Sequence, residues 1–331
     1  MEKAKGFSLL SGGLDSQLAV RVLQRAGAEV EGVCFETPFF SAAVARKAAA
    51  ALGITLHTID FTDDEIALIE NPPHGFGGAM NPCIDCHAAM IRRAGEMMRE
   101  RGFSFVATGE VLGQRPMSQN AQSLKTVEKA SGLAGRLLRP LSAKLLPPTE
   151  PEEQGLIDRE ALLDIRGRSR ERQIALAKEF GIVNYPSPAG GCKLTEEGFG
   201  RKLRDLLEHE GLRDRRLVEL LSCGRRFRLP GGTGVALGRD KDENARLAAE
   251  GAGRRTMLAP SNCPGPTALL TGPCGEEDLD LAARLVAAYS RHDRLPDDIE
   301  IALRRNGATD AQSLRIARPC LREPFAAFQI V

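Results

Sequence analysis

Residues Ser11–Ser16, with the sequence SGGLDS, have the composition of a loop that binds phosphate. The adjacent Gly12 and Gly13 allow a tight turn and a close approach of backbone to ligand. The free N–H groups at the start of the following helix attract anions. Ser11 and Ser16 add hydroxyl groups, and Asp15 could lie near a Mg²⁺ ion held by the phosphates. No Gly-Lys-Ser/Thr follows, which excludes a Walker loop, and a plain strand–turn–helix is the competing interpretation.

Three cysteines have a spacing that suits metal or sulfur chemistry. Cys83 and Cys86 form a C-x-x-C at a predicted helix start, and Cys192 follows two glycines far downstream. The helix dipole favours thiolates there, and three thiolates can hold a 4Fe-4S cluster with one iron left open. The alternatives are a persulfide on Cys192 resolved by Cys83 or Cys86, zinc with His87 as a further ligand, and three buried apolar side chains.

A second polar loop, Thr108–Gln114 (TGEVLGQ), follows another predicted strand. Gly109 gives it a hinge, Glu110 could act electrostatically, and Gln114 could hydrogen-bond a nucleotide. An ordinary polar surface loop is the alternative.

The predicted elements alternate between strand and helix, which is typical of an α/β fold with a doubly wound parallel sheet. Gly27 and Gly53 are expected to end the first two helices. A Pro- and Glu-rich stretch, Leu145–Gly155, is predicted to be an exposed insertion. The predicted strands are Phe7–Ser11, Glu29–Phe35, Ile54–Asp60 and Phe103–Thr108; the predicted helices are Asp15–Ala26, Ser41–Leu52, Cys83–Arg101, Ser169–Phe180 and Thr195–Glu208, the last with Thr195 as N-cap.

The length of 331 residues suggests two domains, which we assign to residues 1–198 and 199–331. The second is predicted to be a smaller α+β domain, because the regular alternation fades there. Short strands are predicted at Arg226–Leu229 and Val235–Leu237, and a helix at Leu279–Arg291.

The formal net charge is only +1, so a nucleic-acid surface would have to come from a local patch. Between Phe199 and Arg228 there are nine basic and five acidic residues, and Arg213–Arg216 and Arg225–Arg228 are candidates for phosphate contacts. A solvated charged face is the alternative. The sequence shows neither a signal peptide nor a membrane span, which predicts a cytoplasmic protein whose eight cysteines do not form structural disulfides.

The string SGGLDS at the end of the first strand resembles the PP-loop family of N-type ATP pyrophosphatases. The resemblance implies an adenine nucleotide alpha hydrolase-like fold and cleavage of ATP between its α and β phosphates, with AMP passing to a substrate oxygen. It also implies that Ser11–Ser16 bind the pyrophosphate end. The end of the second strand, Val33, Cys34 and Phe35, would then lie near the adenine.

The loop TGE-x-x-GQ, followed by Ser118-Gln119 and Leu138–Leu141 (LRPL), is similar to the tRNA 4-thiouridine synthetase (ThiI) family over roughly the first 195 residues. This resemblance implies thiolation of a tRNA uridine, a catalytic cysteine at Cys192, and hydrosulfide or a persulfide-carrying protein as sulfur donor. Enzymes of this type usually carry a THUMP module for tRNA and some a rhodanese domain, and this sequence shows neither. The segments Gly224–Pro230 and Gly238–Asn244 resemble the NFACT-R module, which is associated with RNA.

Two other functions remain open from the sequence. A PP-loop amidotransferase or ligase would use nitrogen as the nucleophile, but it would not need Cys83, Cys86 and Cys192 together. A non-enzymatic, nucleotide-dependent RNA-binding factor would bind ATP without releasing pyrophosphate.

Overall fold

The computed structural model describes residues 3–187, 191–291, 297–306, 311–317 and 321–331. Its internal contacts divide the chain into two compact units, Met1–Thr195 and Glu196–Val331.

The first unit alternates strands and helices along its first half and ends in shorter elements. Gly53 adopts a left-handed conformation after the second helix, which is the usual helix stop. The strands are β1 Lys5–Leu9, β2 Glu29–Glu36, β3 Leu56–Asp60, β4 Phe105–Ala107 and β5 Leu137–Leu138; the helices are α1 Leu14–Arg25, α2 Ala43–Leu52, α3 Thr62–Glu70, α4 Cys83–Glu100, α5 Ala121–Ser131, α6 Glu150–Glu153 and α7 Glu171–Glu179.

The five strands form one parallel sheet in the order β3-β2-β1-β4-β5. One face packs against α1, α2 and α7, and the other against α4 and α5. The predicted α/β class is therefore confirmed. The chain reverses its direction of strand addition between β1 and β4, and ligands of such sheets bind outside the carboxyl ends of the strands at that point. The SGGLDS and TGE loops follow these two strands.

Three local predictions for this unit differ from the structure. Helix α3 was not predicted, although Glu65, Ile66 and Ile69 share its buried face. The stretch Leu145–Gly155 is not simply an exposed insertion, since Thr149 and Glu152 are buried and form a capping box at the start of α6. Thr195 is not a helix N-cap, because its hydroxyl donates to the carbonyl oxygen of Cys192 at 2.7 Å.

The second unit contains an antiparallel sheet, in contrast to the first. Among the described residues, the helices are α8 Glu197–His209, α9 Arg215–Leu220, α10 Lys241–Gly251 and α11 Glu276–Tyr289; the strands are β6 Arg225–Arg228, β7 Gly234–Leu237, β8 Met257–Pro260, β9 Ala268–Thr271, β10 Asp298–Arg304, β11 Gln312–Ala317 and β12 Gln329–Ile330. These strands have the order β11-β10-β8-β9-β7-β6-β12, and α11 packs against one face of the sheet. Strands β8 to β12 and helices α9 and α10 were not predicted.

No helix in the described parts of the chain is long and apolar enough to cross a membrane.

Candidate active site

The SGGLDS segment connects β1 to α1 and leaves the start of the helix open. Gly13 is the N-cap residue and no side chain caps the helix, so the first N–H groups of α1 keep their capacity to bind an anion. Gly12 has φ +82°, and a Cβ there would lie 2.7 Å from the Val44 backbone. Only glycine therefore fits this turn. The hydroxyl of Ser16 donates to the carbonyl oxygen of Gly13 at 2.8 Å and lies 3.3 Å from the hydroxyl of Ser11.

The TGE loop packs directly on this phosphate loop. A Cβ on Gly109 would lie 2.6 Å from the backbone nitrogen of Ser16, so glycine is required for the contact. The Gln114 amide donates to Oδ2 of Asp15 at 2.9 Å. Three buried oxygens here have no hydrogen-bond partner among the described residues: Oδ1 of Asp15 and the side-chain oxygens of Gln114 and Gln119. A buried polar atom normally has a partner, so these atoms suit a polar ligand between the two loops.

Glu110 anchors the second loop to the interior. Its carboxylate accepts hydrogen bonds from Arg139 Nε and Thr108 Oγ1, both at 3.0 Å, and faces His87 Nδ1 at 3.3 Å. Arg139 also donates to Glu128 and to the carbonyl oxygen of Leu124. Burial acts to raise the pKa of Glu110, but His87 and Arg139 outweigh it and hold the pKa at about 2. The carboxylate is therefore ionised and fixed in place.

The three candidate cysteines lie near one another. Cys83 begins α4 and its sulfur accepts a hydrogen bond from the Asn81 amide at 3.1 Å. The Cys192 segment is tied to the sheet where Lys193 donates its backbone N–H to the Phe39 carbonyl oxygen, just beyond β2. Burial, followed by interactions with Glu65 and Cys83 among others, raises the pKa of Cys192 to about 12.

Cys86 is buried, and its pKa lies well above the usual value because of burial and then the charges of Glu65, Cys192 and Cys83. These mutual effects mean that the three thiols occupy one neighbourhood. They also correct one expectation, since the helix start does not make Cys86 a thiolate. The residues Pro188, Ala189 and Gly190, which precede Cys192 in its motif, lie outside the described residues.

The sequence analysis missed Glu65, which is fully buried in α3 beside the cysteines. Neither of its carboxyl oxygens forms a hydrogen bond with a described residue. Burial raises its pKa, and the neighbouring Cys86 thiol acts in the opposite direction. In a helix, Glu65 lies on the same buried face as Ile66 and Ile69. That pattern could have indicated a buried acidic residue, but it becomes visible only once Thr62–Glu70 is recognised as a helix.

No group of three His, Cys, Asp or Glu side chains in the described residues is arranged as a metal site. His87, considered as a zinc ligand, turns its Nδ1 towards Glu110 instead. The described cysteines are all free. The assignment of Cys83, Cys86 and Cys192 to a metal or cluster therefore stays a prediction.

The predicted adenine contacts at the end of β2 have buried side chains. Val33 and Phe35 pack in the core on one face of the sheet and Cys34 in the core on the other. Burial first, then Glu36, raises the pKa of Cys34 to about 11. Any contact of these residues with adenine would therefore involve backbone groups.

The basic stretch of the second unit is not a continuous exposed patch. Arg228 binds Asp205 and Glu210 through four hydrogen bonds, and Arg226 is buried. Arg225 stacks on Tyr289 at 5.1 Å. Arg226 and Arg228 are therefore not part of an exposed charged face, whereas Arg213 and Arg216 are exposed. The assignment of these arginines to phosphate contacts stays a prediction.

Comparison with known proteins supports both resemblances. Residues 2–144 match the family model described as thiamine biosynthesis protein (ThiI), and residues 224–321 match the NFACT protein RNA binding domain. The ThiI resemblance is confirmed. The part of the chain similar to ThiI contains both polar loops and the C-x-x-C, whereas Cys192 lies beyond it.

Curated relatives match a segment of similar length. A probable tRNA sulfurtransferase of Caldanaerobacter subterraneus is 31% identical over 146 residues, which are 41% of this chain and 36% of the relative. One from Geobacillus kaustophilus is 29% identical, over 41% of this chain and 34% of the relative. The chain thus spans about a third of the length of these curated relatives.

Two solved structures are also similar to parts of the chain. A 4-thiouridine synthetase–RNA complex with bound ATP has a TM-score of 0.39 and 21% identity, covering 65% of this chain and 52% of that one. A predicted subunit of tRNA methyltransferase from Methanocaldococcus jannaschii has a TM-score of 0.35 and 15% identity, covering 53% and 76%. With scores this low, the α/β fold class rests on the parallel sheet of the first unit itself.

Proposed function

We propose that this protein is an ATP-dependent tRNA sulfurtransferase that adenylates a uridine carbonyl oxygen and replaces it with sulfur. The names of the curated relatives and the match to the ThiI family support the tRNA thiolation. The nucleotide chemistry and the sulfur chemistry follow from the residues of the first unit.

One observation carries the proposal: a chain of contacts joins the phosphate loop to the cysteines. Gly109 packs on the Asp15–Ser16 peptide, and the next residue, Glu110, faces His87. His87 follows Cys86, and Cys192 and Cys83 contribute to the raised pKa of Cys86. An enzyme that first activates an oxygen with ATP and then delivers sulfur to the same carbon needs these two groups side by side.

In the first step the uridine oxygen attacks the α-phosphorus of ATP. The bond between that phosphorus and the oxygen bridging to the β-phosphate breaks, and pyrophosphate leaves. The open N–H groups of α1 and the hydroxyl of Ser11 would hold the departing phosphates. Mg²⁺ bound with ATP would neutralise charge, and the unpartnered Oδ1 of Asp15 is suited to contact it.

In the second step sulfur attacks the activated carbon and AMP leaves with the former carbonyl oxygen. We expect a 4Fe-4S cluster on Cys83, Cys86 and Cys192 as the first option, but the side chains as they stand do not form a metal-ligand set, so no step is derived through it. The second option is a persulfide on Cys192, whose outer sulfur is transferred as sulfane sulfur from a persulfide-carrying donor protein, since hydrosulfide cannot form it without an oxidant. Its outer sulfur would bond to the carbon, and the Cys83 or Cys86 thiol would release the product by forming a disulfide, which an external thiol must reduce.

The partners follow from the same chemistry. tRNA is the substrate, and hydrosulfide or a persulfide-carrying protein supplies the sulfur. The match of residues 224–321 to an RNA binding domain supports a contribution of the second unit to RNA binding. A cytoplasmic location, where thiols stay reduced, is part of the proposal.

The test is mass spectrometry of nucleosides from tRNA incubated with the protein and ATP without oxygen, in separate reactions with sulfide and with a persulfide-carrying donor protein as the sulfur source. We expect thiouridine to accumulate with wild type and to be absent with Cys192→Ala. The matched control is Cys274→Ala, a half-buried cysteine of the second unit. Thiouridine formed equally by the Cys192 variant would contradict the sulfur step, and no thiouridine under any condition would contradict the proposal.

Iron and acid-labile sulfide assays on the same anaerobic preparations separate the two sulfur mechanisms. A cluster predicts bound iron that is lost in Cys83→Ala, Cys86→Ala and Cys192→Ala together. A persulfide predicts no iron, and sulfane sulfur that is lost only with Cys192. If the protein were instead an amidotransferase or ligase, all three cysteine variants would keep the ATP-dependent activity of wild type.

A further inference from the structure

Arg226, in strand β6 of the second unit, is a buried arginine in an apolar setting. Only 6% of the residue is exposed, and Ala236, opposite it on β7, packs with Leu220 and Cys223. Its Nε and Nη2 atoms are buried and have no hydrogen-bond partner in the described residues. A guanidinium carries five N–H donors, and leaving them unpaired in the interior is costly.

The nearest carboxylates are already engaged by another arginine. Arg228 donates to both oxygens of Asp205, at 3.1 and 2.7 Å, and to both oxygens of Glu210, at 2.9 and 3.1 Å. Glu210 also accepts a hydrogen bond from the Thr271 hydroxyl. These acids raise the pKa of Arg228 against the opposing effect of burial. They form a saturated cluster, and the charge of Arg226 is left without a direct counter-ion.

Arg226 lines a small cavity, together with the half-buried Lys202 of α8 and the Arg228 cluster. The centre of a water molecule can take up positions within about 10 Å³ of this cavity. That is room for about one water or for one oxygen of a larger anion. Burial lowers the pKa of Arg226 to about 10. Burial, then the charges of Arg226 and Arg239, lowers the pKa of Lys202. Three cations, Arg226, Arg228 and Lys202, therefore line this space with only two carboxylates, those of Asp205 and Glu210, so positive charge is in excess.

We propose that the cavity is an anion site in which Arg226 and Lys202 bind a non-bridging oxygen of an RNA backbone phosphate. An anion would supply the missing acceptors and balance the excess positive charge. The cavity has no room for a base or a ribose, so the rest of the ligand must stay outside, as in a phosphodiester chain. The site lies wholly within the second unit and does not depend on the thiolation chemistry.

The test compares wild type with Arg226→Met in the full-length protein. Methionine keeps most of the volume and removes the charge, and replacing an unpaired buried charge by an apolar group is often neutral or stabilising. Arg254→Gln, an exposed position outside the cavity, is the matched loss of one charge. Fluorescence anisotropy with a short single-stranded RNA should show roughly 10- to 100-fold weaker binding for Arg226→Met. The slope of log affinity against log salt should fall by roughly 0.7, and Arg254→Gln should change affinity much less.

Inorganic phosphate at constant ionic strength gives the second readout. Phosphate should raise the midpoint of thermal unfolding of wild type more than that of Arg226→Met. Phosphate binding at the SGGLDS loop would stabilise both proteins equally, so it does not contribute to the difference between them. If Arg226→Met does not fold, Lys202→Met tests the same site from its mouth. Equal RNA affinity and equal phosphate response would overturn the site. A lost phosphate response with unchanged RNA affinity would overturn the RNA assignment and leave a free anion as the ligand.

Discussion

Glu110 and Glu65 are two buried carboxyl groups on either side of the candidate active site, and they differ in every other respect. Glu110 has Arg139, Thr108 and His87 as partners, and its pKa is held at about 2. Glu65 has no hydrogen-bond partner among the described residues, and its pKa is raised by burial. The first is a finished ion-pair network and the second is an unsatisfied group.

This difference between the two carboxyl groups distinguishes the nucleotide-binding side of the candidate site from the cysteine side. On the nucleotide side the loops are fixed in position by the protein alone, as preorganised binding of a phosphate transition state requires. On the cysteine side burial favours neutral thiols and a neutral acid. Unpartnered buried oxygens occur on both sides among the described residues, at Oδ1 of Asp15 on the nucleotide side and at Glu65 on the cysteine side, so we expect a ligand at each. The nucleotide side differs in that the ion-paired network of Glu110 fixes the loop that would position its ligand.

The largest expected effect concerns the nucleotide side. Asp15→Ala should lower tRNA-dependent AMP formation by at least about 100-fold, because it removes the carboxylate nearest the phosphates. The fold should persist, since Asp15 is only half-buried and lies at the helix start. Glu179→Gln, an exposed acid of the same unit, is the control and should keep full activity. Near-normal AMP formation by Asp15→Ala would show that the nucleotide lies elsewhere.

Removal of the Glu110 partner tests the finished network through stability. Arg139→Met should lower the free energy of unfolding by about 3–5 kcal/mol, because Glu110 would remain buried without its main counter-ion. Arg136→Met breaks an exposed pair with Glu150 and should cost no more than about 1 kcal/mol. Urea unfolding measures both, and similar small losses would contradict the importance of the network.

Glu65→Met tests the unsatisfied side and should behave in the opposite way. Since the carboxyl group has no hydrogen-bond partner to lose, stability should stay unchanged or rise by up to about 2 kcal/mol. The same unfolding experiment measures it, with Glu110→Met as the matched comparison that should be strongly destabilised. A loss of more than about 1 kcal/mol for Glu65→Met would mean that Glu65 has a partner in the native protein.

The smallest expected effect is a pH dependence. The folded-state pKa of Glu110, about 2, lies below the ordinary value of 4.5, so its stabilising contribution is present above pH 4.5 and is lost as the pH falls towards 2. The stability difference between wild type and Glu110→Gln should therefore stay constant above about pH 5 and narrow as the pH falls from about 4.5 towards about 2, by at most about 1.4 kcal/mol per pH unit. A difference that stays constant would place the pKa of Glu110 near its ordinary value.

The sequence predicted the first unit well where local patterns decide the structure. A glycine in a left-handed conformation follows each of the first two helices, Gly27 after α1 and Gly53 after α2. The strands of this unit alternate with helices as expected. Helix α3 was missed because Thr62–Glu70 is short and carries four acidic residues. In the second unit, pairing between strands distant in sequence, such as β7 with β9, leaves little local signal.

The site was predicted only in part, for the same reason. The residues that indicate a phosphate-binding loop are consecutive in the SGGLDS segment, so its position after β1 could be predicted from the sequence. The contact between Gly109 and Ser16, the partners of Glu110 and the burial of Glu65 all depend on elements that meet only in the folded chain. The burial of Arg226 could not be predicted from the basic run Arg225–Arg228, because the charges in a sequence do not reveal which side chains are buried.

The most direct test of the account is a search for the adenylated intermediate. The protein is incubated with tRNA, Mg²⁺ and ATP labelled with ³²P at either the α or the γ position, without any sulfur source. We expect label from the α position to appear in tRNA together with released pyrophosphate, to vanish when sulfide is added, and to be absent with Asp15→Ala. Labelling of tRNA from the γ position, or ADP and phosphate as the products, would contradict adenylation of a tRNA oxygen.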